Sequence, residues 1–169
     1  MKKTLLIIFA IFGALLASAQ EKESVQDTTA APTIESLSAK LDKLQHDYDF
    51  LYCDYQLHEV IADFKDLINT TNISANGLTT YCLVGIFDRE LYGSYVDNYK
   101  SKCDLFEALK SNYDTIKVLV VIKSVSSGFT KEEMDVLKSK LGVIERCITA
   151  ANASLTQFDM TIQTYKRTR

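Results

Sequence analysis

Proline is nearly absent from this chain, and that absence constrains the fold more than any other feature. The only proline is Pro32, so none occurs from residue 34 to residue 169. A proline inside a helix removes a hydrogen bond and kinks or breaks the helix, so a chain without proline can form long helices. Glycines are also few, and Gly77 and Gly128 lie where the apolar pattern is interrupted. We therefore expect long helices separated by two turns.

The first predicted helix extends from about residue 34 to residue 69. Its apolar residues recur at alternating steps of three and four, which is the spacing of one helix face. This stripe consists of Ile34, Leu37, Leu41, Leu44, Tyr48, Leu51 and Tyr55. A second apolar line contains Phe50, Cys53, Leu57, Val60, Phe64 and Leu67. Because the stripe broadens, the second half of this helix is expected to be buried on more than one side.

The two turns define the other helices. Residues 70–77 are rich in threonine, asparagine and serine, which predicts a turn followed by a second helix over about 78–124. Gly128 can adopt the left-handed conformation that ends a helix. Thr130 and Glu133 have the spacing of a capping box, so a third helix is predicted over 131–166. Its unbroken three-four apolar spacing is that of a coiled-coil seam.

The sequence therefore predicts an all-α protein, an antiparallel three-helix bundle or coiled coil of long helices. Centring the helix pairs on the two turns places Leu41 opposite Phe106 and Tyr99 opposite Phe158. The alternative is a break in the second helix between Gly85 and Gly93, with a short fourth helix folded back from the hairpin tip.

In this register, residues 57–90 extend beyond the third helix as a two-helix hairpin. Its tip is strongly apolar, and exposed apolar patches of this kind mark interaction sites. The predicted tip surface consists of Leu57, Val60, Ile61, Phe64, Leu67, Leu83, Ile86 and Phe87. The same register places six tyrosines at one height, as an aromatic layer between helices. They are Tyr48, Tyr52, Tyr55, Tyr92, Tyr95 and Tyr99.

The N-terminus has the pattern of a signal peptide over residues 1–19. Lys2 and Lys3 precede an apolar run, and Ala17-Ser18-Ala19 supplies the small residues of a cleavage site. The run is shorter than the roughly 20 residues of a membrane-spanning helix. We therefore expect an exported protein, in the periplasm or outside a bacterial cell, with no transmembrane segment in the mature chain. Residues 20–33 are predicted to be a disordered polar leader.

Four cysteines in an exported chain predict two disulfides. The favoured pairs are Cys103 with Cys147 and Cys53 with Cys82. In the predicted register, Cys103 and Cys147 lie seven residues apart along the helix axis. The alternative is therefore that all four cysteines are buried thiols.

No sequence motif indicates catalysis, a cofactor or a metal site, and carboxylates such as Asp42 and Asp49 are expected on a solvated helix face. The formal net charge of −3 gives no support for nucleic-acid binding. The sequence thus favours a non-enzymatic protein that binds another exported or envelope protein, or itself, through the apolar tip. The alternative function is a binder of a small molecule or glycan that uses the tyrosine layer.

Overall fold

The computed structural model of the protein describes residues 33–168. The predicted signal peptide, and the leader up to residue 32, lie outside the described residues. The chain divides into two compact units, Met1–Leu37 and Ser38–Arg169. Of the first unit only residues 33–37 are described, and they are exposed. The bundle belongs to the second unit.

Three long helices account for nearly all of the described residues. They are α1 (Ile34–Val84), α2 (Arg89–Ser126) and α3 (Lys131–Arg167). Within residues 33–168 there is no strand, and the helices pack against each other as an all-α bundle. The predicted fold class is therefore confirmed.

The turn predicted at residues 70–77 is wrong, because α1 continues through it to Val84. The polar residues that suggest a turn are accommodated by the helix itself. The hydroxyl of Ser74 donates to the Thr70 carbonyl at 3.0 Å, and that of Thr70 donates to the Leu67 carbonyl at 3.3 Å. Thr71, Ala75 and Leu78 are buried, so the packed face of α1 continues across the segment and outweighs its modest helix propensity.

The first turn lies at Gly85–Asp88 instead. Gly85 adopts a positive φ of 70°, and its amide donates to the Cys82 carbonyl at 3.2 Å. Asp88 caps α2 by accepting a hydrogen bond from the Leu91 amide at 2.9 Å. The alternative break between Gly85 and Gly93 is thus present, but no fourth helix follows it among the described residues, and Gly93 lies inside α2.

The second turn contains Gly128 as predicted, and α3 begins at the predicted residue and ends one residue later than predicted. Gly128 has a φ of 65°. The Thr130 hydroxyl accepts from the Glu133 amide at 3.2 Å, while the Glu133 carboxylate accepts from the Thr130 amide at 2.8 Å. This reciprocal pair is the predicted capping box.

The register of α2 against α3 is confirmed, whereas that of α1 against α2 is wrong. The rings of Tyr99 and Phe158 are in contact, with centroids 5.8 Å apart. Phe106 packs on Phe64, with ring centroids 6.2 Å apart, rather than on Leu41. The centre of the observed first turn lies about 13 residues later in the chain than the predicted centre. Because α1 and α2 are antiparallel, the residue of α1 that faces a given residue of α2 shifts by about twice that number.

Candidate interaction surfaces

The structure divides the predicted tip surface into buried and exposed residues. Five of its members are buried between the helices, namely Leu57, Val60, Ile61, Phe64 and Leu67. Only Leu83 and Ile86 are well exposed, and Phe87 is partly buried. The prediction of one continuous exposed tip is therefore wrong. The corrected register brings α2 and α3 alongside the residues that were expected to extend beyond them.

A smaller apolar surface remains at the true turn, and we call its residues Leu83, Val84 and Ile86 the turn knob. Their exposed fractions are 83%, 62% and 62%. Gly85 between them has a left-handed conformation, in which a residue with a side chain is strained. The turn therefore directs three large aliphatic side chains outward within four consecutive positions.

The turn knob stands on a rigid aromatic base. The Phe87 ring packs on Tyr165 with centroids 5.3 Å apart and on Tyr92 with centroids 5.9 Å apart. The Asp88 amide donates to the Tyr165 hydroxyl at 2.8 Å, and Tyr165 is fully buried. These contacts fix the turn to the end of α3, so the knob is presented in a defined position.

A second exposed apolar surface lies on the N-terminal half of α1. We call it the α1 seam, and it consists of Leu41, Leu44, Tyr48, Leu51 and Tyr55. Each of these residues is at least 53% exposed. They belong to the stripe that the sequence predicts to face α2, but the corrected register leaves them without a partner helix among residues 33–168. Every residue from 38 to 45 is exposed, so this part of α1 extends beyond the turn between α2 and α3.

A polar clasp attaches α1 to that turn, just below the extension. Asp49 is buried, and its Oδ2 accepts a hydrogen bond from the Ser127 hydroxyl at 2.5 Å. Lys123 Nζ forms an ion pair with Asp49 Oδ1 at 2.9 Å. The Phe129 ring packs edge-on against Phe50, with centroids 5.9 Å apart. The expectation that Asp49 lies on a solvated face is wrong.

The electrostatics of the clasp favour an ionised Asp49. Burial acts to raise the pKa of this carboxyl, but its contacts with Ser127, Lys123 and Gln45 outweigh burial and lower the pKa overall. No sequence pattern marks this site, because Ser127 and Lys123 lie more than 70 positions from Asp49 in the chain.

The predicted layer of six tyrosines does not form. Tyr48 and Tyr52 stack on each other, with ring centroids 6.1 Å apart, and both are exposed. Tyr95 and Tyr99 instead pack edge-on against Phe158, near the opposite end of the bundle. Since Asp49 contacts Lys123, Tyr48 lies near the level of Lys123, which is about 36 Å along α2 from Tyr99 at 1.5 Å per residue.

The four cysteines are free, so the predicted disulfides are wrong. Cys53 and Cys82 lie on the same continuous helix, where 29 positions correspond to about 43 Å. Disulfides require Cα atoms within roughly 7 Å. In the confirmed register of α2 against α3, Cys103 and Cys147 lie at different positions along the helix axis and do not face each other. Burial raises the pKa of the Cys53 thiol, which keeps it neutral.

Within residues 33–168, no group of three or more histidine, cysteine, aspartate and glutamate side chains could hold a metal ion. No helix of the same range is both long and apolar enough to cross a membrane.

Comparison of the chain with protein-family models, curated proteins and solved structures gave no match. Its function therefore has to be argued from the exposed surfaces of the bundle.

Proposed function

We propose that this is an exported, non-enzymatic helical-bundle protein that binds another protein of the same compartment through the turn knob. The observation that carries the proposal is the exposure of Leu83, Val84 and Ile86 on a turn that is fixed by Phe87 and Asp88. Contiguous exposed apolar side chains on a folded domain mark sites of interaction. Their fixed position lowers the entropy that is lost on binding.

The form of the turn knob suggests the form of its partner. Three aliphatic side chains at the end of a long bundle make a small convex surface, which fits a concave apolar pocket better than a flat face. The charged residues next to the knob in sequence are Asp88, Arg89 and Glu90. They are of mixed sign, so they would form a polar rim around an apolar contact, as in other protein interfaces.

Site-specific photo-crosslinking in cells that produce the protein tests this function. A photoreactive residue at Ile86 should give one discrete adduct with another protein, whereas the same residue at exposed Thr80 should not. Leu83→Asp should abolish the Ile86 adduct while the circular dichroism spectrum and melting temperature stay unchanged, because Leu83 is exposed. Equal labelling at Ile86 and Thr80, or an adduct that persists in Leu83→Asp, would argue against the turn knob as the binding site.

Export makes a separate prediction about the mature chain. When residues 1–169 are expressed in a bacterium, we expect cleavage after Ala19 and a mature protein that begins at Gln20. Mass spectrometry of the intact protein and fractionation of the cells measure this directly. All described buried residues lie at or after Asp49, so the bundle core does not depend on the removed segment. An uncleaved chain in the cytoplasm would contradict the proposed export.

A further inference from the structure

The buried apolar residues of the bundle form two separate clusters. The main cluster contains the buried apolar residues of α1 from Cys53 to Leu67, of α2 from Phe106 to Val120 and of α3 from Leu137 to Leu155. The knob-end cluster, which lies next to the turn knob, contains Ala75, Leu78, Phe158, Ile162 and Tyr165. Among residues 33–168, Tyr99 is the only hydrophobic side chain that packs against both clusters. The core is therefore almost divided along its length.

A polar break separates the two clusters. On α1, Leu67, Thr71 and Ala75 follow each other at steps of four and are all buried, so Thr71 occupies the core-facing row between the clusters. Its hydroxyl has no hydrogen-bond partner among the described residues. On α2 the facing position is Lys102, whose Nζ donates to the Thr70 hydroxyl at 3.0 Å. Burial lowers the pKa of this lysine. Both helices thus place a polar group at the level where one apolar cluster ends and the other begins.

The second helix covers the two clusters unequally. No residue of α2 from Arg89 to Leu105 is buried, whereas Phe106 and four later residues of the same helix are. Over the knob-end cluster, side chains of α2 such as Tyr92 and Tyr95 are only partly buried. A segment that buries few side chains opens at a lower free energy than the core of the same protein.

We infer that the knob end of the bundle opens as a unit of its own while the main cluster stays folded. This unit consists of residues 72–101 and 156–167, which lie on the turn-knob side of the polar break. Opening gives the Thr71 hydroxyl access to water. Because an unpartnered hydroxyl is costly only while it is buried, Thr71 favours the open form.

Opening also removes the support of the turn knob. It separates Phe87 from Tyr165 and breaks the hydrogen bond from the Asp88 amide to the Tyr165 hydroxyl. The knob then has no defined position, and a partner that binds the fixed knob shifts the equilibrium towards the closed form. Local opening thereby regulates the knob. This regulatory role rests on the proposed function, whereas the opening itself does not.

Hydrogen exchange of backbone amides in the purified protein, followed by NMR at urea concentrations below the unfolding transition, tests the inference. Amides of residues 92–99 report on the knob end, and amides of residues 109–120 report on the main cluster. The protection factors of the first set should be at least about 100-fold lower, because the two sets exchange through separate openings. They should also depend less on urea, because local opening exposes less surface than global unfolding.

Two matched variants of α3 distinguish local opening from global unfolding. Ile162→Val weakens the knob-end cluster, which is intact only in the closed form, so the protection of both sets should fall about fivefold. Ile144→Val makes the same change in the main cluster, which stays folded when the knob end opens. It should lower the protection of residues 109–120 about fivefold and leave that of residues 92–99 unchanged.

Two results would overturn the inference. One is equal protection and equal urea dependence in the two sets of amides, and the other is an Ile144→Val variant that lowers both sets equally. Photo-crosslinking at Ile86 decides the proposed function separately. An adduct in a protein that opens only as a whole would reject the inference and retain the function, whereas two opening units without an adduct would do the reverse.

Discussion

Replacing Phe64 with alanine should lower the free energy of unfolding by about 3–5 kcal/mol, the range for removing a buried aromatic side chain. Phe64 has no exposed surface, and its ring packs on Phe106 of α2. Leu83→Ala removes a large apolar side chain from a residue that is 83% exposed. Its effect should stay within about 0.5 kcal/mol.

Urea unfolding monitored by circular dichroism measures both effects. The two variants should share the wild-type slope, since neither is expected to alter the compactness of the folded or unfolded state, and only Phe64→Ala should have a lower midpoint. The comparison is decisive for the register, because the sequence-based hairpin exposes both residues at its tip. Two variants with the wild-type midpoint would contradict the packing of α1 against α2.

The sequence predicts the second turn and α3 well, because the local turn and capping residues there agree with the periodic spacing of the apolar residues. Gly128, Thr130 and Glu133 mark the second turn through backbone conformation and capping, and the apolar spacing of α3 continues without interruption. Because the turn position is right, the contact of Tyr99 with Phe158 follows from it.

The first turn shows where the same reasoning fails. Threonine, serine and asparagine at residues 70–77 favour a turn only when their side chains compete for the backbone. Here the hydroxyls of Thr70 and Ser74 instead donate hydrogen bonds to carbonyls of their own helix. The left-handed Gly85 and the cap at Asp88 were the better signals, and they occur together within four positions.

One misplaced turn accounts for the errors in the candidate sites. Antiparallel geometry doubles the displacement, so Phe64 and Leu67 change from exposed tip to core, and Leu44 and Leu51 change from core to surface. The sequence correctly identifies the α1 seam as apolar. It does not show whether another helix of the bundle covers this seam, because that depends on the register of the whole hairpin.

Asp49→Asn should destabilise the bundle by about 2 kcal/mol at pH 7, because it replaces charged contacts in a buried site with neutral ones. The loss should depend on pH in a defined direction. The folded state lowers the pKa of Asp49, so the ionised carboxylate contributes its full stability above the ordinary carboxyl pKa of about 4. As the pH falls below that value and through the lowered pKa, the carboxylate is protonated and the contribution is lost.

The difference between wild type and Asp49→Asn should thus be constant from about pH 5 to pH 8 and should shrink below pH 4. Urea midpoints measured at intervals over this range provide the test. Asp42→Asn removes the same charge from an exposed position on the same helix and should change stability by less than about 0.5 kcal/mol at every pH. A wild-type advantage over Asp49→Asn that persists undiminished at pH 2 would show that the clasp does not depend on an ionised Asp49. The attachment of α1 to the second turn would then rest on the packing of Phe129 against Phe50 and His46.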